Sequence, residues 1–201
     1  MHNLSKYISV ALHPVLIPTL ATLLFFIVTP TYFPSNQIYI ILLFIFFGSY
    51  ILPLLLLVFF KKIHLISSFE IKETRERRIP VLCFLSISLV LGKGLYRLAD
   101  FQLLSFIFIG GFVALSITYL LLFLNFKTSL HVLGASGFTT FIILISYYYS
   151  LNLIGLIALL FFLTGLLGTA RLILKAHKPI ELIAGFIIGT SSMLLSFILL
   201  I

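Results

Sequence analysis

Seven stretches of the chain are apolar over the roughly 20 residues that an α-helix needs to cross a hydrocarbon core. They are Ile8–Val28, Ile38–Phe60, Ile79–Leu98, Leu103–Phe126, Ser129–Tyr148, Leu153–Leu174 and Pro179–Ile201. Leu, Ile and Phe fill them in continuous runs. Strands of a membrane barrel would instead alternate apolar and polar positions over segments of about 10 residues. The predicted fold class is therefore all-α, a polytopic transmembrane helix bundle of about seven spans. Lys93 and Arg97 interrupt the third stretch, and its clean part, Ile79 to Gly92, is short for a crossing. A re-entrant or tilted third segment, leaving six spans, is the other expectation. Ile8–Val28 is long enough to cross and no small-residue cleavage pattern follows it, so it reads as a retained span.

Connections between these stretches are short and carry turn residues such as Pro30, Pro34, Ser35 and Asn36. This predicts one integral membrane domain over residues 1–201, with no linker, internal repeat or low-complexity tract. Lys61–Arg78 is the exception, holding six of the thirteen Lys and Arg residues. Glu70, Glu73 and Glu76 recur every three residues there, next to Lys72, Arg75, Arg77 and Arg78, which suits a short charged helix at the interface.

Composition agrees with the pattern. The 201 residues are 62% hydrophobic and 9% charged, with mean hydropathy +1.28, too little polar surface to cover a water-soluble fold. Cys83 is the only cysteine and lies in an apolar run, which excludes an intrachain disulfide and a thiolate metal cage. With an inside N-terminus, Lys6, Lys61, Lys62, Lys72, Arg75, Arg77, Arg78, Lys127, Arg171, Lys175 and Lys178 fall on the cytoplasmic face and only Lys93 and Arg97 outside. The expected location is an inner membrane with that face cytoplasmic. Because the net charge of +8 sits where topology predicts it, nucleic acid is not an expected partner.

Alternating crossings bring the Lys72–Pro80 loop, the Lys127–His131 segment and the Arg171–Glu181 turn to one face. Lys127-Thr128-Ser129-Leu130-His131 joins a hydroxyl and an imidazole to the unpaired N–H groups of a helix start, an anion-binding corner. In the plainer reading Ser129 only caps the helix and His131 only packs. In the last segment Pro179 suits a first helical turn, which puts His177 at or just before the helix start and Glu181 four residues on. A carboxylate so placed fixes the imidazole tautomer and raises its basicity, as a nucleophilic His requires. Here the plain reading is that Arg171, Lys175, Lys178 and Glu181 are interface anchors.

Elsewhere, His13 before Pro14 lies on the same side as the motifs, either lining the site or hydrogen-bonded at a Pro kink. Gly134, Gly137, Gly165, Gly168 and Gly185-x3-Gly189 read as close helix packing. Tyr147–Tyr149 reads as an interfacial aromatic belt.

Ser129-x-His131 followed by Arg171, five residues, His177, three residues and Glu181 resembles the type 2 phosphatidic acid phosphatase and haloperoxidase-like family. That family's pattern is Lys-x6-Arg-Pro, then Pro-Ser-Gly-His, then Ser-Arg-x5-His-x3-Asp. The resemblance covers Lys72 to Gly189. Thr128 and Leu130 replace the Pro and Gly around Ser129, Ala170 replaces the Ser before Arg171, and Glu181 replaces Asp. In the first motif the interval from Lys72 to Arg78 is one residue short and Ile79 separates Arg78 from Pro80, so Arg75 or Arg77 could take the role of Arg78. The resemblance implies that His177 is the nucleophile, oriented by Glu181, and that His131 protonates the leaving alkoxide. Ser129, Arg171, Lys72 and Arg78 would hold the phosphoryl oxygens.

The implied activity is metal-independent and cofactor-free hydrolysis of a lipid phosphomonoester or diphosphate through a phosphohistidine, with a phosphorylated lipid and the bilayer as partners. The chemistry suits the residues. A phosphate dianion needs fixed cations and N–H donors, and Arg offers a fork that matches its oxygens. The alternative from another class is a non-catalytic protein that binds or transports a lipid phosphate on a basic membrane face.

Overall fold

The computed structural model describes residues 2–69, 71 and 73–200. Among them it is all-helical, with six helices long and apolar enough to cross a membrane. These are the architecture of a polytopic helical bundle and are consistent with an integral membrane protein.

The first apolar stretch is not one helix. It is split into α1 (His2–Ala11) and α2 (Ile17–Val28) by a turn over Leu12–Leu16. Pro14 disfavours the helical backbone at His13, and Pro18 supplies no N–H to the turn before it. The His13 ring occupies the break, its Nδ1 accepting the Val15 N–H at 3.4 Å. α2 has 12 residues, about 18 Å at ~1.5 Å per residue, which is short of a full crossing. The expectation of a first full span is corrected accordingly, and the six-helix count is reached by a different route from the one the sequence suggested.

The second stretch is continuous over residues 35–62: α3 (Ser35–Phe46), a single π-helical turn Phe47–Ile51, and α4 (Leu52–Lys62). Pro53 follows the wide turn, which takes up the carbonyl partner that a proline cannot supply. The third stretch is neither short nor re-entrant. α5 runs unbroken over Thr74–Tyr96, 23 residues, and so takes in the Thr74–Arg78 end of the charged segment expected to be a separate interfacial helix. Lys93 stays exposed near its far end, so these charges need no burial inside the bundle.

α6 (Gln102–Phe123), α7 (Leu130–Tyr148), α8 (Ile154–Ile173) and α9 (Pro179–Leu200) follow. Their loops reverse on residues in the left-handed region, Asn125 (φ 56°), Ser150 (φ 53°) and Lys175 (φ 51°). In each case the next N–H reaches back five positions, as from Ala176 to the Arg171 carbonyl at 3.1 Å, the Schellman closure of a helix end. The main core gathers Phe25, Phe108, Phe141, Ile45, Leu104 and Ile142, each no more than 2% exposed, where α2, α3, α6 and α7 meet.

α7 and α9 approach closely, as the glycine spacing implies. A Cβ at Gly185 would stand 2.7 Å from the Ser129 carbonyl oxygen, and one at Gly189 would collide with the Leu133 carbonyl and the Ser136 hydroxyl. Gly165 differs from the expectation. Nothing lies within 4 Å of the position its Cβ would take, because it looks out from an exposed face of α8.

Candidate functional site

Three loop ends, α4 to α5, α6 to α7 and α8 to α9, meet at one end of the bundle. Two hydrogen bonds tie the second and third. Lys127 Nζ donates to the Ala176 carbonyl at 3.2 Å, and the Ser129 N–H donates to the Glu181 carbonyl at 3.2 Å. The Lys175 reversal makes this possible, since it turns the Ala176 carbonyl outward from the end of α8 just before α9 begins.

His177 precedes Pro179, the first residue of α9, and its side chain is only 2% exposed. Its Nδ1 lies 2.7 Å from Glu181 Oε2, and the same oxygen accepts the Lys178 N–H at 3.2 Å. The carboxylate thereby satisfies a free donor at the helix start and orients the ring. With Nδ1 carrying the shared proton, Nε2 keeps a lone pair for the cavity that His177 lines. Burial first, then Arg77, Lys127 and Arg171, hold His177 below its ordinary pKa against the upward pull of Glu181, so the ring is neutral at neutral pH. Lys127 is lowered too, by burial and then by Arg77.

Arg171, in the last turn of α8, points its Nη1 to Ser9 Oγ at 3.4 Å. His131, in the first turn of α7, has its ring 5.2 Å from that of His13, edge to face, and lies against the Ser9 backbone. Arg77 and Arg78 diverge because successive helical residues are about 100° apart. Arg77 lines the cavity and donates from Nε to the Ile71 carbonyl at 2.9 Å. Arg78 instead lays its guanidinium 4.3 Å over the Phe123 ring.

A cavity of about 860 Å³ joins these groups. Lys6, Arg77, Lys127, Arg171 and Lys175 line its polar end together with His13, His131 and His177, and no carboxylate is among the lining residues described. Basic side chains gathered at one pocket suit an anionic ligand.

Of the residues singled out from sequence, His177, His131 and Arg171 line the cavity, while Glu181 stands behind His177. Arg78 and Ser129 do not line it. Ser129 occupies the N-cap of α7 without a side-chain cap bond, and its Oγ is buried with no hydrogen-bond partner. Lys72 lies outside the described residues. Among those described, no three or more His, Cys, Asp or Glu side chains cluster as a metal site would require.

Sequence reasoning passed over Lys6 and Ser9. The available signal was the spacing of His2, Lys6 and Ser9, which puts polar residues on one face of α1, and all three line the cavity with His13 of the turn that follows.

No family model matches the chain, no curated protein matches it, and no solved structure matches it.

Proposed function

We propose that this protein is a membrane-embedded lipid phosphatase that hydrolyses a phosphomonoester or diphosphate through a phosphohistidine. The observation that carries this reading is the His177–Glu181 pair at 2.7 Å, at the wall of a cavity whose other charged lining groups, among the described residues, are all cationic. In that geometry His177 Nε2 attacks phosphorus, the P–O bond to the leaving group breaks, and His131, entering the step protonated, gives its proton to the departing oxygen. Water then attacks phosphorus while His131 takes a proton from it, the P–N bond to His177 breaks, and phosphate leaves with His177 restored. Arg171, Arg77 and Lys127 stabilise the charge on the equatorial oxygens throughout. Arg77 takes the part that the family resemblance gave to Arg78. By the distribution of Lys and Arg, the site opens on the cytoplasmic face.

A second reading, a protein that binds or transports a lipid phosphate without turnover, is favoured by one observation. Ser129 and Arg78, two of the implied phosphate-holding residues, do not reach the cavity.

Phosphate release from a panel of phosphatidic acid, phosphatidylglycerol phosphate, isoprenoid diphosphate and lipid A phosphate, in detergent, decides between them. Wild type is expected to release phosphate from at least one, and His177→Ala to lose the activity while still inserting in the membrane. Activity of His177→Ala within about tenfold of wild type overturns the nucleophile assignment.

A further inference from the structure

The cavity does not end at the polar groups. Along α5 its lining runs from Arg77 through Pro80, Val81, Phe84 and Ser88 to Leu91, a single helical face about 21 Å long at ~1.5 Å per residue. Its deep half exists because the facing side chains are small: Ser88 on α5, Gly110 and Gly111 on α6, and Gly137 on α7. At Gly111 an added Cβ would meet only the Ser88 hydroxyl, at 3.7 Å. Beyond them it stops on Leu91, Phe108 and Met193, no more than 4% exposed and part of the main core. The space is thus cationic at one end, apolar along its length and closed at the other.

We propose that one hydrocarbon chain of a single phosphorylated lipid is taken into this space, and that its closed end limits the chain length the site accepts. The occupant is a long-chain alkyl or isoprenoid phosphate, because only an anionic head on an apolar chain matches both ends of the cavity. An extended hexadecyl chain is close in length to that face of α5. The limit is steric. A chain leaving the bilayer for an apolar cavity gains little hydrophobic free energy, since lipid tails are as apolar as the cavity wall. A chain that meets Leu91 and Phe108 before its phosphate reaches Arg171 is excluded by packing.

The proposal rests on the phosphatase reading for the head group alone, so binding is measured as well as turnover. Non-hydrolysable octyl and hexadecyl phosphonates are tested by thermal shift on wild type, Gly111→Leu and Ser88→Leu in detergent. Turnover of the corresponding alkyl phosphates is measured alongside. Both phosphonates should stabilise wild type. In the two variants, which add bulk to the deep half from adjoining positions on α5 and α6, the hexadecyl-to-octyl ratio of affinity should fall about tenfold or more. The same fall in the ratio of kcat/KM is expected where phosphate is released. If wild type releases no phosphate but the binding ratio falls, the phosphatase reading fails and the chain-length limit stands. An unchanged ratio in both variants overturns the limit, as does loss of both ligands' shifts in both. An equal shift of wild type by hexadecanol overturns it too, by assigning the cavity to any bilayer chain.

Discussion

At the scale of the residue, the decisive geometry is the contact of His177 with Glu181. In the proposed reaction, a carboxylate that fixes the ring through Nδ1 acts on the reactivity of Nε2 and only indirectly on the phosphate, which Arg171, Arg77 and Lys127 would hold. Glu181→Gln is therefore expected to lower kcat by about 10–100-fold, the usual cost of losing such an orienting partner, with a much smaller change in KM. A change confined to KM in steady-state assays would mark Glu181 as a structural anchor. The lowered pKa of His177 has a sign that can be checked. The folded protein binds the proton less readily than the unfolded chain, so the neutral ring contributes stability above the ordinary His value of about 6.5, and this is lost as pH falls below it. Unfolding measured against pH should show this acid-side decline in wild type and a shallower one in His177→Gln. The four-residue spacing from His177 to Glu181 made the contact legible in sequence. The choice of Arg77 over Arg78 was not, because it depends on which way α5 is rotated against α6.

At the scale of the element, the contact of α7 with α9 fixes the site, since Ser129 and His131 open one helix and His177 and Glu181 the other. Gly185 and Gly189 let the two backbones approach. Because a Cβ at Gly189 would collide with the Leu133 carbonyl, Gly189→Ala must push α9 away, an overpacking expected to cost about 1–3 kcal/mol. Gly165→Ala meets open space and should be neutral or stabilising by up to about 1 kcal/mol through helix propensity. Thermal unfolding of both variants in detergent checks the pair. Equal destabilisation would show that the α7–α9 approach is not what sets the cost. Spacing alone treated both glycines as packing residues. Periodicity does not say which face of an all-apolar helix meets protein and which meets lipid, because neither environment demands polar side chains.

At the scale of the whole molecule, the convergence of three loops at one end is what permits a site at all, and it is tested directly by labelling. With Cys83 replaced by Ser, cysteines introduced at Ser67 and Ala176 should react from one side of the membrane, the cytoplasmic one by charge distribution, and one at Asp100 from the other. Reaction of Ser67→Cys and Ala176→Cys from opposite faces would break the site apart. The sequence alone determined the helical class, the position of most helix ends and the meeting of the three charged segments. Hydropathy and turn residues act locally, and alternating crossings carry that local information to the ends of the bundle. It did not determine that Pro14 and His13 would break the first apolar stretch. Nor did it determine that α1 would bring Lys6 and Ser9 to Arg171, or that small residues on three helices would leave a closed apolar space beneath the cations. Those features depend on how helices of nearly uniform apolarity rotate and pack against one another. That choice is made by the fit of side-chain volumes in three dimensions, which only the tertiary structure contains.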